Sequence, residues 1–122
     1  MLRLAETRDE LNVVGDQIGS PTYTFDLARL LIDMIQTNKY GIYHASNEGY
    51  CSWAEFATEI FKQANVSVNV NSISTEEYPT RAVRPKNSRM AKQKLLDNGF
   101  TPFASWQDAV KRYVKELTQE VR

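Results

Sequence analysis

Apolar positions along the chain recur in two rhythms, one at helical spacing and one at the period of a strand. Residues 2–7 read as the tail of a helix, too short to stand alone. Residues 11–14 (Leu-Asn-Val-Val) form a short β-prone run closed by Gly15-Asp16. Gly19-Ser20-Pro21-Thr22 is a turn cluster with a proline of fixed φ. Thr24 is placed to cap a helix in which Leu27, Ala28, Leu31, Ile32 and Ile35 repeat, and Asp26 favours its positive end. Residues 38–41 end that helix, and Ile42, Tyr43, His44 and Ala45 predict a strand.

Ser52-Trp53-Ala54-Glu55 carries the spacing of a capping box. Behind it Trp53, Phe56, Ala57, Ile60, Phe61 and Ala64 make one apolar stripe, which assigns Trp53 to the core. Residues 66–73 alternate valine with serine or asparagine, the pattern of a strand with one wet face. Residues 74–87 hold Pro79 and Pro85, show no helical period, and predict a long ordered loop of the kind that often carries function. Ser88 is placed to cap a helix running to Leu96 and stopped by Asn98-Gly99. Ser105 opens a last helix in which Trp106, Ala109, Val110, Tyr113, Val114 and Leu117 share a face. Short strands alternating with about four helices predict an α/β domain over residues 1–122.

Composition narrows the class. The longest aliphatic run is Leu30-Leu31-Ile32, far short of the roughly 20 apolar residues that span a bilayer. The first residues lack the apolar centre of a signal peptide, and Cys51 is the single cysteine, which excludes an internal disulfide. Both point to a cytoplasmic protein with no membrane partner.

Charge changes the picture more. Fifteen basic and fifteen acidic residues cancel, but they are segregated. Residues 78–96 hold six basic side chains (Arg81, Arg84, Lys86, Arg89, Lys92, Lys94) and no acidic one, whereas residues 1–77 hold five basic and eleven acidic. The block is either a solvated face or a site for an anionic ligand. With an acidic remainder and no nucleic-acid motif, a nucleic-acid partner is not expected.

Several chemistries are absent. Gly15, Gly19, Gly41, Gly49 and Gly99 cannot form a dinucleotide or P-loop fingerprint. His44 is the only histidine, without metal-ligand spacing around it, and reads as a strand residue making structural hydrogen bonds. None of the six tyrosines is followed four residues later by lysine.

Two segments give a direction. Asp16-Gln17-Ile18-Gly19-Ser20-Pro21-Thr22 and residues 78–89, Tyr-Pro-Thr-Arg-Ala-Val-Arg-Pro-Lys-Asn-Ser-Arg, closely resemble two signatures of the dTDP-4-dehydrorhamnose reductase family. Gly41-Ile42-Tyr43-His44 and Ser52-Trp53-Ala54-Glu55-Phe56-Ala57 also resemble that family, in the same order. The resemblance implies the C-terminal substrate-binding lobe of an extended short-chain dehydrogenase, lacking the N-terminal Rossmann core. Members reduce the 4-keto group of a dTDP-deoxysugar with NADPH, giving dTDP-L-rhamnose. The glycine-rich loop and the catalytic Thr/Tyr/Lys set of the family lie upstream of the first segment, so the chain is expected to be a fragment that is inactive alone.

The resemblance also implies a substrate site. In this superfamily an Arg-Pro placed like Arg84-Pro85 brings a guanidinium to the nucleotide-sugar diphosphate, and Pro85 biases Arg84 toward extended backbone. Asn87 and Ser88 follow at an expected helix start, where Ser88 is either an anion ligand or a plain cap. Many relatives carry an arginine near the position of Gly19-Ser20; its lack here shifts electrostatic duty to Arg84, with Arg81 or Lys86 as helpers. Gln17, Ser20 and Thr22 either contact the dTDP-sugar or form a structural turn. Mg²⁺ accompanies dimers of some members, but no ligand set for it is evident here. Without its cofactor lobe the chain is expected to expose an apolar face and self-associate. A second reading is an interaction module, since the regulatory β-subunits of methionine adenosyltransferase resemble the same family.

Overall fold

The computed structural model describes residues 1–120. Its elements in chain order are α1 (Leu2–Ala5), β1 (Glu10–Val14), β2 (Ile18–Gly19), α2 (Thr24–Ile35), β3 (Cys51–Ser52), α3 (Trp53–Gln63), β4 (Asn69–Ile73), α4 (Gln93–Asp97) and α5 (Trp106–Glu120). A single 3₁₀ turn, Thr75–Glu77, follows β4. β1 and β4 form a parallel pair in register from Glu10↔Asn69 to Val14↔Ile73. β2 and β3 form a separate antiparallel pair, Ile18 opposite Ser52 and Gly19 opposite Cys51. The expected α/β alternation is present, with two of the five helices only about one turn long.

Three apolar clusters hold the layers together. Ala57 and Phe61 of α3 meet Leu11 of β1, with Val66, Val68 and Val70 closing the side. Trp106, Val110 and Val114 of α5 pack on Cys51, Phe56 and Ile60. Leu30 of α2 joins Leu95, Phe100 and Phe103, with Leu27 and Met34 beside it. The stripes read from the α3 and α5 spacing supply the buried positions Ala57, Phe61, Trp106, Ala109, Val110 and Val114, because positions three and four apart share one side of a helix, whereas Tyr113 of the α5 stripe is half exposed.

The capping box forms as the spacing predicts. Ser52 Oγ accepts from the Glu55 amide at 3.1 Å, and Glu55 Oε2 accepts from the Ser52 amide at 2.7 Å. Ser52→Ala is expected to cost about 1 kcal/mol, the usual value of such a cap, measurable as a lower urea midpoint. At α5, Ser105 Oγ accepts from the Asp108 amide at 3.2 Å.

Five expectations are corrected. Residues 42–45 make no strand, and Ile42 is 82 % exposed. A strand needs a neighbour for its amides and carbonyls, and none of the described strands lies beside this segment. His44 is accordingly exposed rather than a strand histidine. Trp53 is half exposed because it opens α3 outside the buried cluster of Cys51, Trp106, Val110 and Val114, with its ring set edge-on to Phe56. The cap of α2 is Tyr23, not Thr24, and the Tyr23 amide is held by Asn47 Oδ1 at 2.8 Å from across the fold. Ser88 opens no helix, since α4 begins only at Gln93. Its amide and hydroxyl both donate to the carbonyl of Ile18, which keeps the chain extended through this position.

α2 is apolar on two sides. Leu27, Leu30 and Met34 face the core, while Phe25, Leu31, Ile32 and Ile35 lie exposed, with Tyr40 and Ile42 also exposed beyond the helix end. Among the described residues no helix is long and apolar enough to cross a membrane.

Candidate functional site

The two signature segments meet. The Ile18 amide donates to the Lys86 carbonyl at 2.9 Å, and the Ser88 amide donates to the Ile18 carbonyl at 2.9 Å. Ile18 and Asn87 thus form a parallel bridge, with β3 on the other side of β2. Positions some seventy residues apart share one seam, and Ser88 Oγ adds a 3.2 Å bond to the Ile18 carbonyl. Gly19 permits this closeness: a Cβ there would lie 2.6 Å from Ser88 Oγ. Ser20 Oγ donates to the Gly49 carbonyl at 2.7 Å, tying the exit of β2 to the turn before Tyr50.

The neighbouring polar groups brace the loop. Thr75 Oγ1 donates to Asp16 Oδ1 at 2.6 Å and accepts from Gln17 Nε2 at 3.3 Å. Lys86 Nζ sits 3.4 Å from Asp16 and 3.2 Å from Glu76. The Thr75 hydroxyl, more than Lys86, holds the Asp16 carboxyl below its ordinary range. Glu76 and then Asp16 raise the Lys86 ammonium above its own. Gln17 and Lys86 are thus engaged in fixing the loop to the 3₁₀ turn. Asn87 Oδ1 accepts from the Arg89 amide at 3.1 Å. Thr22 is exposed beside the turn.

The six cations of residues 78–96 separate by partner. Lys92 is the most buried, its side chain 9 % exposed, with Nζ 3.4 Å from Glu48 and 3.2 Å from the Asn47 carbonyl. Lys94 lies over the Tyr43 ring at 4.8 Å. Arg89 lies over the Tyr50 ring at 5.3 Å. Arg81 and Arg84 are exposed and pair with no carboxylate among the described residues. A fixed backbone seam flanked by unpaired guanidiniums can bind an anion with several oxygens. Guanidinium offers planar pairs of donors, and unpaired positive charge raises the local concentration of anions.

A buried polar network supports the seam from behind, and sequence reasoning missed it. Asn47 is 0 % exposed. Its Nδ2 donates to Asp26 Oδ2 at 2.7 Å and to the Ala104 carbonyl at 3.1 Å. Its amide donates to the Pro21 carbonyl at 3.2 Å, fixing the turn that follows β2. Arg112 grips Asp26 with two bonds, 2.8 and 2.6 Å long. Nothing in the spacing joins residues 26, 47 and 112, so only tertiary structure reveals the set. Tyr50 was missed too, though an aromatic in the polar stretch Ser46-Asn47-Glu48-Gly49 was a usable signal.

Asp26 supplies a pH test. Arg112 foremost, then Asn47, lowers its pKa against the opposing effect of burial. A depressed carboxyl stabilises the fold above its unfolded value of about 3.9. That contribution disappears as pH falls through the lower folded value. Urea midpoints should therefore drop below about pH 4, and Asp26→Asn should be less stable at pH 7 with a flatter acid limb. An unchanged acid limb in the variant would remove Asp26 from the account.

Cofactor chemistry finds little here. Gly41, Gly49 and Gly99 have positive φ and sit in separate turns. Among the described residues no three His, Cys, Asp or Glu side chains gather to hold a metal ion. Burial pushes the Cys51 thiol up to about 11, which suits packing rather than nucleophilic attack.

Residues 1–119 match the family described as the RmlD substrate binding domain. The chain belongs to this family. It is 45 % identical over 116 residues to the spore coat polysaccharide biosynthesis protein SpsK of Bacillus subtilis, covering 95 % of this chain and 40 % of that protein. It is 46 % identical over 125 aligned positions to the dTDP-4-dehydrorhamnose reductase of Aggregatibacter actinomycetemcomitans, covering 91 % and 42 %. A crystal structure of dTDP-4-dehydrorhamnose reductase from Bacillus anthracis, in complex with NADP, superposes with TM-score 0.89 at 48 % identity, covering 94 % of this chain and 40 % of that one. The Clostridium acetobutylicum orthologue gives TM-score 0.93 at 39 % identity, covering 96 % and 42 %. The RmlD-family domain therefore spans about two fifths of the length of the relatives it matches, and it has the fold of their C-terminal, substrate-binding part.

Proposed function

We propose that this RmlD-family domain is the substrate-binding part of an NADPH-dependent reductase that converts dTDP-4-dehydro-L-rhamnose to dTDP-L-rhamnose, and that Arg84 anchors the diphosphate. The observation that carries the reading is the seam. Ile18 is bonded on both sides of Asn87, and Arg84 lies exposed two residues before this pinned backbone, with no carboxylate partner among the described residues. Asn87 and Ser88 border the anion, and Ser20 and Thr22 border the sugar or nucleotide. Gln17 acts through Thr75 by holding the loop.

Hydride donor and general acid belong to a cofactor lobe, for which these residues offer no cradle. The exposed side of α2 (Phe25, Leu31, Ile32, Ile35) fits contact with that lobe, which would account for the rest of the relatives' length. Alone, the chain should self-associate through this face, and sedimentation should show dimers or larger species. A monomer that binds no apolar dye would contradict this. Joining the chain to the glycine-rich lobe of a related reductase tests the activity. The account expects NADPH oxidation dependent on the dTDP-4-keto sugar. A folded fusion that binds NADPH and turns over no such sugar would overturn it.

A further inference from the structure

We propose that Arg89 is a second phosphate ligand beside Arg84, with Tyr50 as its positioning residue. The inference rests on the diphosphate reading above and deepens it. Elimination narrows the choice first. Lys86 is held by Asp16 and Glu76, and Lys92, which shares the Tyr50 ring with Arg89 at 5.7 Å, is spent on Glu48 and the Asn47 carbonyl. Both ammonium groups already have anionic or carbonyl partners, so a ligand would have to displace them. Arg89 has no carboxylate partner among the described residues and sits over an aromatic face, 5.3 Å from the Tyr50 ring centre. A guanidinium held over an aromatic face is attracted by the ring and still has N–H donors to offer oxygen.

The backbone places this side chain at the seam. Ser88 is bonded to Ile18, and the next amide, that of Arg89, is bonded to Asn87 Oδ1. Arg89 therefore leaves the chain one residue after the pinned stretch, whereas Arg84 leaves it two residues before Lys86. Tyr50 is tied to the same place from the other side, because Ser20 bonds the carbonyl of Gly49. The ring is half exposed, and what it offers Arg89 is its face.

Calorimetric titration of the chain with dTDP tests this, with thermal melts confirming that each variant folds. Arg89→Ala should weaken binding by about tenfold, the scale of a charge-assisted hydrogen bond. Arg89→Lys should recover only part of it. Tyr50→Leu should weaken binding about threefold, the scale of an exposed cation–π contact, while Tyr50→Phe binds as the parent does. In an Arg89→Ala background Tyr50→Leu should have no further effect. If Arg89→Ala binds like the parent while Arg84→Ala does not, the second ligand is refuted and the diphosphate site stands. Equal losses from Tyr50→Leu in both backgrounds would refute the positioning role. If Arg84→Ala and Arg89→Ala both bind like the parent, the diphosphate reading itself falls.

Discussion

Asn47→Ala should lower the stability of the domain by about 3 kcal/mol, a cost typical of breaking a buried hydrogen-bond network. The side chain is fully buried and serves three partners. Removing it strips the Tyr23 amide of its acceptor at the head of α2 and leaves Asp26 with Arg112 alone. It also leaves a cavity at a fully buried position. Urea unfolding should show a lower midpoint at unchanged slope. Asn47→Asp should be no better at pH 7, because it sets a second carboxylate against Asp26. A loss under about 1 kcal/mol for Asn47→Ala would mean that the network merely decorates the fold.

Helices were legible where their apolar stripe faces a core that this chain itself provides. The Ser52 capping box and the stripes of α3 and α5 depend on residues three and four apart, so local spacing suffices. The strand expected at residues 42–45 has the right residue types but no neighbour to pair with, and pairing is not a local property. The long helix expected from Ser88 failed for a related reason. A distant residue, Ile18, takes both Ser88 donors and holds the backbone extended. The candidate site was legible as two motifs and a block of charge. Their union across Ile18 was not, nor was the sorting of the six cations into paired and free. That sorting depends on Asp16, Glu48 and Glu76, which lie far away or carry no motif.

Arg84→Ala should weaken dTDP binding by about 10- to 100-fold, the largest effect expected at the site. Among the described residues Arg84 has no carboxylate partner to release, so its donors are available to phosphate oxygens without breaking such a pair. Truncation should leave the fold intact, because the side chain is exposed and the seam is built from backbone groups at Ile18, Lys86 and Ser88. An exposed charge pair is screened by salt, so the parent should bind more weakly as ionic strength rises. Arg84→Ala should show a shallower dependence. Arg84→Lys should fall between the two, since a point charge replaces a planar pair of donors.

The most direct test is isothermal calorimetry of the parent chain and Arg84→Ala with dTDP at low salt. The account predicts one site per chain, lost or weakened at least about tenfold in the variant at unchanged melting temperature. No heat from the parent at millimolar dTDP, or equal affinity in the two chains, would contradict a diphosphate site at this seam.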